Sequence, residues 1–150
     1  MDAALGAVRH YLRRARALAE RADEADLGLC QAPDTLPVGE QLAIAIGFAG
    51  RAVLPLAGRD APDWPVPINR TRLVRYATEM AAALDAVQTA DIGVREITHR
   101  AGFADVTQPA EDYPLRFALP NMIFHLTAAY VGLKGAGHVL GKADCDAIHA

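Results

Sequence analysis

Phe117-Ala-Leu-Pro-Asn-Met-Ile-Phe-His-Leu-Thr-Ala-Ala-Tyr-Val-Gly-Leu-Lys134 is apolar or small on nearly every side of a helical wheel. Pro120 suits the first turn of a helix, where its missing N–H costs nothing and its fixed φ already fits. Gly135 and Gly137 follow, residues that readily take the left-handed conformation closing a helix. A helix with no wet face belongs inside a protein. This one nevertheless carries Asn121 and His125, one turn apart and therefore on one face. A buried polar group needs a partner, so that face must meet other polar groups, water or a ligand.

The rest of the chain must supply the surroundings of such a helix. With 150 residues, 52% hydrophobic and 22% charged, it is large and apolar enough to bury a core, and residues 1–150 read as a single domain. A net charge of −3, from 15 basic and 18 acidic residues, is not the footprint of a nucleic-acid binder, so no nucleic-acid partner is expected. Two distant cysteines, Cys30 and Cys145, fit a reducing cytoplasm better than a disulfide-stapled secreted domain. Asp2 and a run of arginines stand where a signal peptide needs a continuous apolar stretch, and no segment reads as a membrane span of about 20 residues. A cytoplasmic location without a membrane partner is the expectation.

Three further helices are predicted from the spacing of apolar residues. Ala3–Glu24 carries Leu5, Val8, Leu12, Ala15, Ala19 and Ala22 on one face, with Arg9, Arg13, Arg14, Arg16 and Arg21 around the rest. With Glu20, Asp23, Glu24 and Asp26 close by, those arginines read as a solvated face. Pro37–Leu56 is apolar nearly all round, and Gln41 is the polar residue expected to point inward. Arg70–Gln88 follows a proline-rich connection in which Trp64 is expected to pack on the helices; Asn69 or Thr71 caps it. Between Asp91 and Pro109 the period becomes two, and Val94–Arg100 and Phe103–Thr107 around Ala101-Gly102 predict a small β-hairpin. Two strands alone are marginal, so the hairpin must lean on the helices.

Several phrases now form a pattern: Ala32-Pro-Asp-Thr-Leu-Pro37, Arg95-Glu-Ile-Thr98, Phe117-Ala-Leu-Pro-Asn121, His125-Leu-Thr-Ala-Ala-Tyr130 and Leu140-Gly-Lys-Ala-Asp144. Together they resemble an uncharacterised bacterial family, a domain of unknown function related to the DinB/YfiT-like four-helix-bundle superfamily. The resemblance spans nearly the whole chain. It implies an all-α four-helix bundle with a β-hairpin between the third and fourth helices, often a homodimer, and it brings no reaction with it. In the wider superfamily, three histidines hold a metal, one on the second helix and an H-x3-H pair on the fourth, and some members are metal-dependent transferases using low-molecular-weight thiols. This sequence departs from that pattern. Its second helix has no histidine, and the positions four residues either side of His125 are Asn121 and Ala129.

Other candidates are weaker. His10, His99, His138 and His149 form no pair at helical spacing, and Tyr130 lies on a different part of the wheel from His125. Gly135–Lys142 fails as a phosphate loop, with Ala136 and Ala143 where a glycine and a hydroxyl residue are needed. Lys142 lies close enough in sequence to lower the Cys145 pKa, yet nothing identifies a base, and Cys30 reads as a small packed hydrophobe. Glu40, Glu96, Glu111 and Asp112 show no pairing. The sequence therefore favours a small-molecule-binding or structural homodimer without a metal or other cofactor. Its ligand pocket is expected between the second and fourth helices at Gln41, Asn121 and His125. The alternative is a degenerate relative of the thiol transferases with a divalent metal at His125.

Overall fold

The computed structural model describes residues 1–149, apart from the side chain of Asp91. Helix α1 spans Asp2–Arg21 and buries Leu5, Val8, Leu12, Ala15, Leu18 and Ala19 along one stripe. Ala22 then turns extended, three residues short of the expected end. Asp23 and Glu24 would place negative charge at the negative end of the helix dipole, so the chain leaves the helix before them. A 3₁₀ turn over Glu24–Gly28 follows.

Helix α2, Val38–Val53, is buried on most of its circumference, including Val38, Leu42, Ile46, Ala49 and Val53. Pro55 has no N–H to continue the α-helical ladder, and Leu54–Ala57 tightens into a 3₁₀ turn. Gly58, at φ 63°, closes it in the left-handed region. The combined stretch Val38–Ala57 is, by length and composition, apolar enough to cross a membrane, against the expectation that no segment is. In this fold 67% of it is buried against the other helices, as befits a core helix.

Helix α3, Arg70–Asp85, is capped by Asn69, whose side chain accepts from the Arg72 N–H at 2.9 Å. It turns Leu73, Tyr76, Ala77, Met80 and Leu84 inward and ends three residues before the predicted Gln88. The hairpin is present as β1, Glu96–Ala101, antiparallel to β2, Ala104–Pro109, one or two residues later than predicted. Gly102, at φ 60°, makes the tight turn. The Thr98 and Thr107 hydroxyls pair across the strands at 2.8 Å. The ring of His99 anchors the hairpin, 4.1 Å from the Phe117 ring and 4.7 Å from that of Tyr113. Leu56, Ala110 and Tyr113 form a small satellite core beneath it.

A π-helical turn, Pro114–Ala118, leads into α4, Leu119–Gly135. Helix α4 packs most extensively on α2, while α1 backs onto α2 and α3. The four long helices are thus the predicted bundle, around one contiguous hydrophobic core. The tail holds an unpredicted short helix, α5, Lys142–Asp146, whose entry is fixed by the Gly141 N–H donating to the Asp144 carboxylate at 2.7 Å.

Candidate functional site

The densest packing in the bundle, α2 on α4, brings two of the three predicted pocket residues together. The His125 Nδ1 lies 2.6 Å from Gln41 Oε1. Gln41 is almost wholly buried, and its amide nitrogen donates to the Leu36 carbonyl at 3.4 Å, which turns its oxygen toward the imidazole. Nδ1 therefore carries the proton and donates, leaving Nε2 as an acceptor without a protein partner among the described residues. Phe48 stacks against the ring of His125, centroids 5.9 Å apart at 14°. Asn121 does not join the pair. Its amide donates to the Phe117 carbonyl four residues back, at 2.7 Å, and so serves the first turn of its own helix.

Half-burial lowers the pKa of His125 from its ordinary 6.5, because the charged ring loses hydration that no acid replaces. The linkage has a definite sign. As pH falls through about 6.5 the unfolded chain takes up the proton first, so stability is complete above that value. It declines through the window down to the lower folded value and then levels off. Urea midpoints of the wild type are therefore expected to drop between about pH 7.5 and about pH 5.5. In His125→Gln that part of the drop disappears; an unchanged pH dependence would locate the sensitive group elsewhere.

The other candidates are separated from this pair. His138 Nε2 bonds Asp26 Oδ2 at 2.7 Å, pinning the turn after α4 to the turn after α1, with Asp23 alongside. His10 Nε2 meets the Asp146 carbonyl at 2.7 Å, and His149 Nδ1 meets the Asp146 carboxylate at 2.7 Å. Cys30 is exposed, a correction to its reading as a packed hydrophobe: it precedes α2 in a loop that the bundle does not cover. Burial raises the Cys145 pKa, the opposite of the lowering expected from Lys142, whose ammonium instead lies 3.1 Å from His149 Nε2. The first-helix arginines are partly neutralised within the chain, Arg9 by Asp85 at 3.1 Å, Arg16 by Glu20 at 2.8 Å and Arg21 by Asp144.

The profile of a family described as a domain of unknown function, DUF1993, matches residues 1–145. The chain belongs to the DUF1993 family. No functionally curated protein matches this DUF1993 chain. The crystal structure of a DinB family member from Shewanella denitrificans superposes on it with a TM-score of 0.77 at 21% identity, over 93% of this chain and 87% of that one. At that identity the likeness establishes the DinB-like fold and nothing about chemistry. The donor set at the α2–α4 contact does not fit the three-imidazole metal centre of the superfamily. Gln41 presents a neutral amide to His125, Phe48 an aromatic face, and Ala129 no donor at all.

Proposed function

We propose that this DUF1993 protein is a homodimer that binds a small organic molecule, without a metal, in a pocket between α2 and α4 built on Gln41, Asn121 and His125. The observation that carries this reading is the Gln41–His125 hydrogen bond. It holds the imidazole in one tautomer and leaves Nε2, on a half-buried ring, as an acceptor in apolar surroundings. Asn121, one turn earlier on the same helix, spends its amide N–H on Phe117 and keeps its carbonyl oxygen as a second acceptor. A ligand presenting hydroxyl or amine donors suits the pair.

The outer face of α4 supports the dimer. Phe124 and Val131, seven residues apart, remain 65% and 50% exposed, and Leu115 just before the helix is 53% exposed. A row of large apolar side chains left in water on a rigid helix favours association, and a two-fold pairing lets both copies use the same patch. Sedimentation is expected to show a dimer that becomes monomeric, with its helical circular dichroism retained, in the double variant Phe124→Asp with Val131→Asp. A wild-type monomer throughout a micromolar dilution series overturns the dimer. Elemental analysis after equilibration with zinc, nickel or manganese and desalting tests the other half. About one ion per chain, lost in His125→Ala, overturns binding without a metal.

A further inference from the structure

A cleft of about 310 Å³ opens on the α3 side of α2. Ile44, Gly47, Phe48 and Arg51 of α2 form its floor, Trp64 of the connecting loop and Tyr76 of α3 its wall. The Trp64 and Tyr76 rings meet edge to face at 6.3 Å, yet Trp64 stays 45% exposed, so the loop packs less closely than its proline-rich sequence suggested. Gly47 gives the cleft its depth. A Cβ there would lie 3.2 Å from the Tyr76 hydroxyl, so a side chain at this position would crowd the phenol against α2.

Two polar groups in this lining have capacity to spare. Tyr76 is 5% exposed as a residue, and its hydroxyl is not among the buried atoms left without a partner, so it is the end of the ring that reaches the cleft and solvent. A hydroxyl at the open end of an otherwise buried ring is held in place and free to donate to a ligand or to water. The Arg51 guanidinium lies over the rings of Phe48 and Phe117, 4.8 and 5.6 Å from their centroids, and gives one N–H to the Arg100 carbonyl at 3.3 Å. It also lies close enough to the Tyr113 hydroxyl to oppose the burial that raises that phenol's pKa. No carboxylate pairs with it among the described residues; Asp60 and Asp63, on the loop that carries Trp64, are both exposed and form no ion pair with it. Arg51 is an exposed residue whose guanidinium is steadied by the two rings, the Arg100 carbonyl and the Tyr113 hydroxyl, and it keeps further N–H donors for a ligand.

We propose that this cleft binds an apolar monocarboxylate. The carboxylate takes the open donors of Arg51, the Tyr76 hydroxyl supplies a second donor, and the hydrocarbon lies against Ile44, Phe48 and Trp64. The site is separate from the proposed Gln41–His125 site, with which it shares the Phe48 ring. Trp64 is the one tryptophan of the chain, so its emission reports occupancy directly.

The test is a fluorescence titration of the full chain with 3-phenylpropanoate, octanoate and the neutral 3-phenylpropanamide. Saturable changes are expected with the acids, and binding of the amide at least about tenfold weaker, the scale of losing charge-assisted hydrogen bonds. In Arg51→Gln the preference for acid over amide vanishes, Arg51→Lys restores part of it, and Tyr76→Phe weakens the acids without shifting the melting temperature. Tighter octanoate assigns a fatty-acid-like ligand, tighter 3-phenylpropanoate an aromatic acid, and either supports the site. No saturable change at millimolar acid, or equal response to acid and amide in the wild type, overturns it. The acid–amide comparison stands even if the Arg51 variants fold poorly.

Discussion

Leu126→Ala is expected to lower the unfolding free energy by about 2–5 kcal/mol, read as a reduced urea midpoint at unchanged slope. Leu126 has no exposed surface and sits mid-way along α4 in the inward stripe of Met122, Ala129 and Leu133. Truncation removes the transfer free energy of three carbons and leaves a cavity that the facing helices fill only partly. Phe124, two residues earlier, points the other way and is 65% exposed. Its truncation separates packing from association. In the proposed dimer the cost of Phe124→Ala is expected to shrink on dilution, as association is lost, whereas the cost of Leu126→Ala persists in the monomer. A Leu126→Ala cost below about 1 kcal/mol would mean that α4 is rotated from the packing described, since surface substitutions stay in that range.

That contrast also shows why the bundle was legible in the chain. The inward stripes of α1 and α3 recur at three- and four-residue steps, and local periodicity alone finds them. Helix α2 lacks such a stripe, and its apolar circumference announces a central position instead. Helix α4 reads the same way in sequence, yet it buries only one side, Met122, Leu126, Ala129, Gly132 and Leu133. It leaves Phe124 and Val131 in water, a correction to the expectation of a helix without a wet face. What escaped was set by interactions that periodicity does not encode. The end of α1 is governed by Asp23 and Glu24 against the helix dipole, and the end of α2 by a missing N–H at Pro55. Helix α5 depends on Asp144 reaching back to the Gly141 N–H and on packing against α1, more than a hundred residues away in the chain.

The candidate site was legible in part for the same reason. A buried amide on α2 and an imidazole on α4 each demanded a partner, and the fold gives them to each other. Asn121 looked equivalent to His125 by spacing, but the helical turn before α4 sets the Phe117 carbonyl four residues back within reach of its amide, which donates there. The Arg51–Tyr76 cleft had no sequence signal. Its residues come from two helices and a loop, and its depth comes from the absence of a side chain at Gly47.

Gly132→Val is expected to destabilise the protein by about 3 kcal/mol or slightly more, near the upper end for overpacking, and Gly132→Ala by about 1–2 kcal/mol. The sign is opposite to helix propensity, which favours alanine over glycine by about 1 kcal/mol in a helix interior. Gly132 faces the start of α2, where an added Cβ would collide with Cγ2 of Val38 and with the Gln31 amide. The amide can swing aside, at the loss of its 2.8 Å hydrogen bond to the Ala128 carbonyl. Val38 cannot: it is fully buried and β-branched, with essentially one rotamer open to it in a helix, so α2 and α4 must separate. Gly6 supplies the control, on the exposed side of α1, where an added methyl group would have nothing within 4 Å. Gly6→Ala is expected to raise stability by up to about 1 kcal/mol, because there only the propensity acts. If both alanine variants were stabilising, the close approach of α4 to the first turn of α2 would be wrong.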